Sequence, residues 1–244
     1  MRYKEFTIEG RNAVLEAFRS GKTIDKLFVL DGCQDGPVKS IIREAKKTDT
    51  IINFVDKERL DRLAGTGHHQ GVVAQAAAYE YAEVEDILKA AKDKGEAPFI
   101  FILDEIEDPH NLGAIIRTAE AAGADGVIIP KRRSATVNPT VFKTSAGAAA
   151  WIKIARVSNL VDTIKTLKKH GVWVYGAEAD GTPIDKADLS GALALVIGSE
   201  GFGLGKLVRE NCDVVLSLPM FGKVNSLNAS VCAGILMYEA VKYR

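Results

Sequence analysis

The chain has 244 residues, 47% hydrophobic and 26% charged, with 32 Lys plus Arg balanced by 32 Asp plus Glu. That length suits one large domain or two modest ones, and the composition can bury a core, so disorder is excluded as the default. Zero net charge excludes a protein that grips nucleic acid by bulk positive charge.

Helix and strand signals alternate from the start. Residues 12–18 place Ala13, Val14, Ala17 and Phe18 at helical spacing, with Gly21 as a stop. Residues 26–30 read as a strand ended by Asp31-Gly32, 38–47 as an amphipathic helix and 51–55 as a strand. A short helix over 57–64 and a strand over 71–78 complete a predicted α/β domain spanning 1–78. Residues 79–97 are acidic and rich in Ala and Lys; they read as a linker with a helix over 84–92, broken by Gly95 and Pro98.

The pattern restarts in a second domain, 98–244. Residues 99–103 (FIFIL) are a continuous apolar run, as in a parallel strand covered on both faces. Strands over 126–129, 152–157, 172–175, 193–197 and 214–218 follow, with helices between most of them. One helix starts at Ser158 or Asn159 and ends at His170 before Gly171. This alternation predicts a parallel sheet with helices on both faces. No run approaches the ~20 apolar residues of a membrane span, and the first residues lack a signal-like apolar stretch. The cysteines Cys33, Cys212 and Cys232 are widely spaced without a Cys-x-x-Cys, so no disulfide framework, zinc site or other metal is expected. A soluble cytoplasmic protein with reduced thiols is the expectation.

Ligands of open α/β sheets sit beyond the carboxyl ends of strands, and three such segments stand out. After 99–103, Asn111 reads as the N-cap of a helix whose Gly113 and Arg117 form a stripe; Gly113 would leave room for a substrate or partner chain, while spacing alone favours Arg117 as a surface residue beside Glu120. After 193–197 comes a glycine-rich stretch, 198–206, with Glu200 as a polar anchor. It is neither a dinucleotide fingerprint, because Lys206 stands where Gly is needed, nor a P-loop, because Glu200 and Leu207 stand at required positions. After 214–218, Ser226, Asn228 and Ser230 precede a helix and suit either capping or a ligand. Lys131-Arg132-Arg133 reads either as an RNA phosphate contact or as a solvated loop.

In this order the segments resemble the three motifs of the SpoU (TrmH) family of RNA ribose methyltransferases. Asn111, Gly113 and Arg117 match the first motif, Gly198, Glu200 and Gly203 the second, and Pro219, Ser226, Leu227, Asn228 and Ser230 the third. The first domain, through 10–17 (GRNAVLEA) and 67–72 (GHHQGV), looks like the family's ribosomal-protein-like RNA-binding domain. The segments 107–133 and 226–240 look most like the RlmB-type branch, which methylates a guanosine of 23S ribosomal RNA.

The resemblance implies a SPOUT-type parallel sheet whose C-terminus is threaded into a trefoil knot, which periodicity could not show. It implies S-adenosylmethionine as methyl donor and no metal. Its binding loops would carry Gly176 and Ala177, then Gly198, Ser199, Glu200 and Gly201, then Leu218, Pro219 and Met220, and last Ser226, Leu227 and Asn228. Arg117 would act at the 2′-hydroxyl, oriented by Asn111, Glu200, Ser226 and Asn228. A guanidinium stays protonated, so its expected work is to stabilise a developing alkoxide and a neighbouring phosphate. The family also implies a homodimer through the late helix and the Arg117 helix, and large-subunit ribosomal RNA as partner. A transfer-RNA substrate, or a non-catalytic RNA-binding role, is the alternative.

Overall fold

The computed structural model describes residues 6–33, 35–64, 67–76, 79–224 and 226–244. It divides into two compact units, Met1–Glu80 and Tyr81–Arg244.

The first unit holds β1 (Phe6–Glu9), α1 (Arg11–Arg19), β2 (Ile24–Leu30), α2 (Gly36–Lys47), β3 (Ile51–Val55), α3 (Lys57–Leu63) and β4 (Val72–Ala76). Its sheet runs β1-β4-β2-β3, with β2 and β3 parallel and the other pairs antiparallel. Alternate residues of a strand face opposite sides, and both central strands obey this. Leu27, Val29, Val72 and Ala74 meet Val14 and Phe18 of α1 and Val38 and Ile41 of α2 on one face. Phe28 and Val73 meet Leu60 of α3 on the other. Sequence reading missed β1, whose four residues are too short for a periodic signal. Ala77 and Ala78 of the expected last strand lie outside the described residues.

The second unit is a six-stranded, wholly parallel sheet of β5 (Phe99–Leu103), β6 (Gly126–Pro130), β7 (Lys153–Val157), β8 (Trp173–Pro183), β9 (Leu193–Ile197) and β10 (Val214–Ser217). Its order is β10-β8-β9-β5-β6-β7. The helices are α4 (Val84–Lys94), α5 (Pro109–Ala121), α6 (Pro139–Thr144), α7 (Leu160–Lys169), α8 (Lys206–Asn211) and α9 (Ala229–Val241). Every residue of β5 and β9 is buried, and each such Ile, Leu or Phe contributes ~1.5–3 kcal/mol of apolar burial. Among the described residues no helix is long and apolar enough to cross a membrane.

Two expectations are corrected. The 79–97 stretch is not a linker: α4 belongs to the second unit, where Val84 and Ile87 join a core cluster with Ile100, Ile128 and Ile164. Its Val84, Ile87 and Ala91 form one buried stripe, and a Cβ on Gly126 would fall 2.5 Å from Ile87 Cδ1, so this helix lies hard against β6. Asn111 is not an N-cap either. Asp108 caps α5, accepting from His110 N at 2.9 Å, because Pro109 starts the helix and leaves Asn111 within its first turn.

Candidate active site

The sheet runs outward from β5 through β6 to β7 on one side, and through β9 to β8 and β10 on the other. The reversal of strand order between β5 and β9 is a switch point, where loops leaving the carboxyl ends diverge and open a crevice. Asn111 comes from the segment after β5 and Glu200 from the segment after β9, so they face each other across this point. Asn111 Nδ2 donates to Glu200 Oε1 at 3.0 Å. Asn228 Nδ2 donates to the same oxygen, and Ala229 N reaches it at 3.3 Å. Asn228 Nδ2 also donates to Asn111 Oδ1 at 3.0 Å, while its own Oδ1 caps α9 by accepting from Ser230 N and Val231 N. One carboxylate thus joins all three segments.

The glycine-rich loop is held by backbone approach and two further carboxylates. Ser199 and Gly203 exchange both backbone hydrogen bonds at 3.0 Å, around Gly201 with φ 90°. A Cβ on Gly198 would lie 2.3 Å from the Gly203 carbonyl carbon, so only glycine lets the turn fold back. Asp104, at the end of β5, accepts from Gly205 N at 2.7 Å. Glu178, from β8, accepts from Leu204 N at 2.6 Å. Burial raises the Asp104 carboxyl above its ordinary value, and the Gly205 N–H only partly offsets this.

Beside this loop lies a cavity of about 310 Å³, within the size range of small-molecule sites. Among the expected ligand residues, Ala177, Gly198, Ser199, Glu200 and Gly201 line it, and so do Leu218, Met220, Ser226 and Leu227. Gly176, Pro219 and Asn228 are not on its wall. Gly176 packs instead on the protein: a Cβ there would lie 2.6 Å from Leu204 Cδ1 and 3.0 Å from Cys212 Sγ. Sequence reading missed Glu178, Phe202, Leu216 and Cys232, all on the wall. A polar residue just past the last β8–β9 pair was the available signal for Glu178.

Arg117 is not brought to this centre. It is exposed, is absent from the cavity wall, and among the described residues its side chain makes no hydrogen bond or ion pair. The helix explains this: six residues beyond Asn111 put it roughly 120° around the axis and about 9 Å along it. Gly113 is not a space for a ligand, since a Cβ there would lie 1.8 Å from Thr144 Oγ1. It lets α5 close on α6. In the basic cluster, Arg133 pairs with Glu105 at 2.8 Å, and both residues have positive φ.

A family model described as the SpoU rRNA Methylase family matches residues 98–238, more than half of the chain. The chain belongs to this family. As an RNA methyltransferase of the SpoU family it carries a second match at 7–82, to the family's RNA 2′-O ribose methyltransferase substrate binding domain. It is 51% identical to YacO of Bacillus subtilis (strain 168), named as a TrmH family tRNA/rRNA methyltransferase, over 96% of this chain and 94% of that one. An AdoMet-bound rRNA methyltransferase from Sinorhizobium meliloti superposes with TM-score 0.59 at 27% identity, covering 97% of this chain and 87% of that one. The SpoU methyltransferase AviRb from Streptomyces viridochromogenes shares the fold, with TM-score 0.61 at 24% identity over 97% and 89% of the two chains.

Proposed function

We propose that this SpoU-family enzyme transfers a methyl group from S-adenosylmethionine to the ribose 2′-hydroxyl of a guanosine in large-subunit ribosomal RNA, as the RlmB-type branch does. The observation that carries the reading is the closure of three carboxyl-end segments on one oxygen, Glu200 Oε1, beside the cavity.

The residues fit the cofactor. Leu216, Leu218 and Leu227 offer apolar walls for an adenine ring, and loop 198–203 offers backbone groups to read its polar edge. Bound there, the cofactor supplies a methyl on a sulfonium that needs no further activation. The chain's work is therefore positioning. Asn111, Glu200 and Asn228 lock the loops that carry Ser199 and Ser226 to the wall. Arg117 stabilises negative charge developing on the 2′-oxygen and binds the adjacent phosphate, while a phosphate or water takes the proton. The trefoil knot expected from the family belongs to the same reading.

The exposed position of Arg117 supports a homodimer in which it serves the neighbouring subunit's cavity. The adjoining α9 packs on α5, where a Cβ on Gly234 would lie 3.7 Å from Thr118 Cγ2. It leaves Val231, Ile235 and Tyr238 exposed at spacings of four and three, an apolar stripe suited to a second copy. The first unit and the Lys131–Arg133 loop supply RNA contacts.

The test is methyl transfer from labelled S-adenosylmethionine to unmodified large-subunit ribosomal RNA, with Arg117→Ala beside it and the mark mapped. A single 2′-O-methyl guanosine, lost in the variant, establishes the reading. Transfer to transfer RNA alone moves the substrate and keeps the chemistry. No transfer to any RNA sinks it.

A further inference from the structure

We propose that Glu178 is a cofactor-binding carboxylate whose side chain clamps the glycine-rich loop and accepts hydrogen bonds from the ribose hydroxyls of an adenosine group held in the cavity. This rests on the reading that the cavity takes S-adenosylmethionine.

Glu178 lies two residues past Gly176, the last β8 residue paired with β9, so it leaves the sheet at the carboxyl end, where the cavity opens. Its carboxylate reaches over the loop. Leu204 N donates to Oε1 at 2.6 Å, and a Cβ on Gly203 would lie 2.5 Å from Oε1 and 2.8 Å from Oε2. The glycine at 203, with φ 65°, is therefore what admits the carboxylate to this place.

Two carboxylates line the cavity, and they differ in what they already hold. Glu200 takes two amide groups and a backbone N–H on one oxygen. Glu178 takes one backbone N–H, and among the described residues no basic side chain pairs with it. A carboxylate offers about four lone-pair sites, so most of its accepting capacity is unspent. Ala177, Ala179 and Gly203 beside it carry no side-chain donor, and Ser199, which pairs with Gly203, turns its hydroxyl to the Gly203 carbonyl at 3.4 Å. A ligand that brings two adjacent hydroxyl donors and an apolar ring matches this wall. A vicinal diol on a carboxylate is also the arrangement by which acidic side chains hold adenosine ribose in dinucleotide sites.

Isothermal calorimetry with S-adenosylhomocysteine and its 2′,3′-dideoxy analogue, on wild type and Glu178→Gln, tests the proposal. Gln keeps an acceptor for Leu204 N, and thermal unfolding verifies that the variant folds. Charge-assisted hydrogen bonds predict that Glu178→Gln weakens S-adenosylhomocysteine about tenfold while leaving the already weak dideoxy analogue unchanged. Equal weakening of both ligands would show that Glu178 acts only through the loop and would overturn the proposal, as would no weakening of either. Wild type that binds neither ligand would instead overturn the cofactor reading, and this inference with it.

Discussion

The Asn228 side-chain amide donates to Asn111 Oδ1 at 3.0 Å, joining residues 117 positions apart, and both amides converge on Glu200 Oε1. Removing that acceptor leaves two amide donors and the Ala229 N–H without it. Glu200→Ala is therefore expected to lower stability by about 1–2 kcal/mol in urea unfolding. Glu200→Gln, which keeps Oε1 but turns its other terminus into a donor, should lose less. An unchanged midpoint for Glu200→Ala would show that the network does not hold the three segments together.

Gly113→Ala pushes a methyl group to 1.8 Å from Thr144 Oγ1 and 2.8 Å from Thr144 Cβ. Both helices are packed, so the expected cost is about 1–3 kcal/mol of overpacking. The double variant Gly113→Ala with Thr144→Ala removes the closer clash and should recover part of the loss. A stable single variant would mean that α5 and α6 separate freely.

How far the sequence led depended on the range of the interactions. The apolar run 99–103 and the cap at Asn159 are local signals, and both emerge as elements at those places. Asn111 was misread because Asp108-Pro109 offers a competing cap three residues earlier, and the two differ only in which side chain turns back. Gly113 was misread because its steric neighbour, Thr144, lies 31 residues away. The helix over 84–94 reads as a linker because its charged exposed face masks a stripe whose partners, Ile100 and Ile128, come later in the chain. Glu178 was legible only as a polar residue just past a strand, because the fold alone places it over Gly203.

Two cysteines are half-buried, Cys212 against Gly176 and Cys232 on the cavity wall. Burial pushes the Cys212 thiol up to about 12, with Asp213 adding to the effect, and burial also raises Cys232, which lines the cavity. Thiolate is the reactive form, so neither should react quickly with a disulfide reagent at pH 8 in the folded protein. Unfolding in denaturant should release both. Labelling followed by peptide mapping checks this, and rapid native modification of Cys212 would contradict its packing against Gly176. S-adenosylhomocysteine should slow Cys232 further and leave Cys33 unchanged.

Asp104 sets a pH dependence with a definite sign. Its folded value is raised above 3.8, mainly by burial. Between 3.8 and that raised value the native state binds more protons than the unfolded state, so this contribution is fully present at lower pH and is lost as pH rises through the window. Exposed carboxylates with lowered values, such as Glu44 beside Lys47, slope the opposite way, so the informative quantity is the difference between proteins. Asp104→Asn keeps an acceptor for Gly205 N and abolishes the ionisation. The stability of wild type minus Asp104→Asn, from urea unfolding across pH 4 to 7, should fall as pH rises. A flat difference would show that Asp104 titrates normally, and a rising one that its folded value is lowered; either contradicts the burial argument.

Arg117 carries the sharpest prediction for catalysis. Its side chain engages nothing among the described residues, so Arg117→Lys and Arg117→Ala should leave the unfolding midpoint within about 0.5 kcal/mol of wild type. Calorimetric binding of S-adenosylhomocysteine should also persist, because Arg117 is not on the cavity wall. Methyl transfer should nevertheless fall by about a hundredfold or more in both variants, since a planar, bidentate guanidinium at a developing alkoxide and phosphate is not replaced by a point-charge ammonium. A mixed dimer of Arg117→Ala with Glu200→Ala separates two arrangements. If Arg117 serves the neighbouring cavity, one of the two sites draws Arg117 and Glu200 from different intact subunits, and about half the wild-type activity returns. If it serves its own subunit's cavity, no site in the mixed dimer has both residues and activity stays at the level of the single variants. Near-wild-type transfer by Arg117→Lys alone would remove the bidentate role, whichever subunit it acts on.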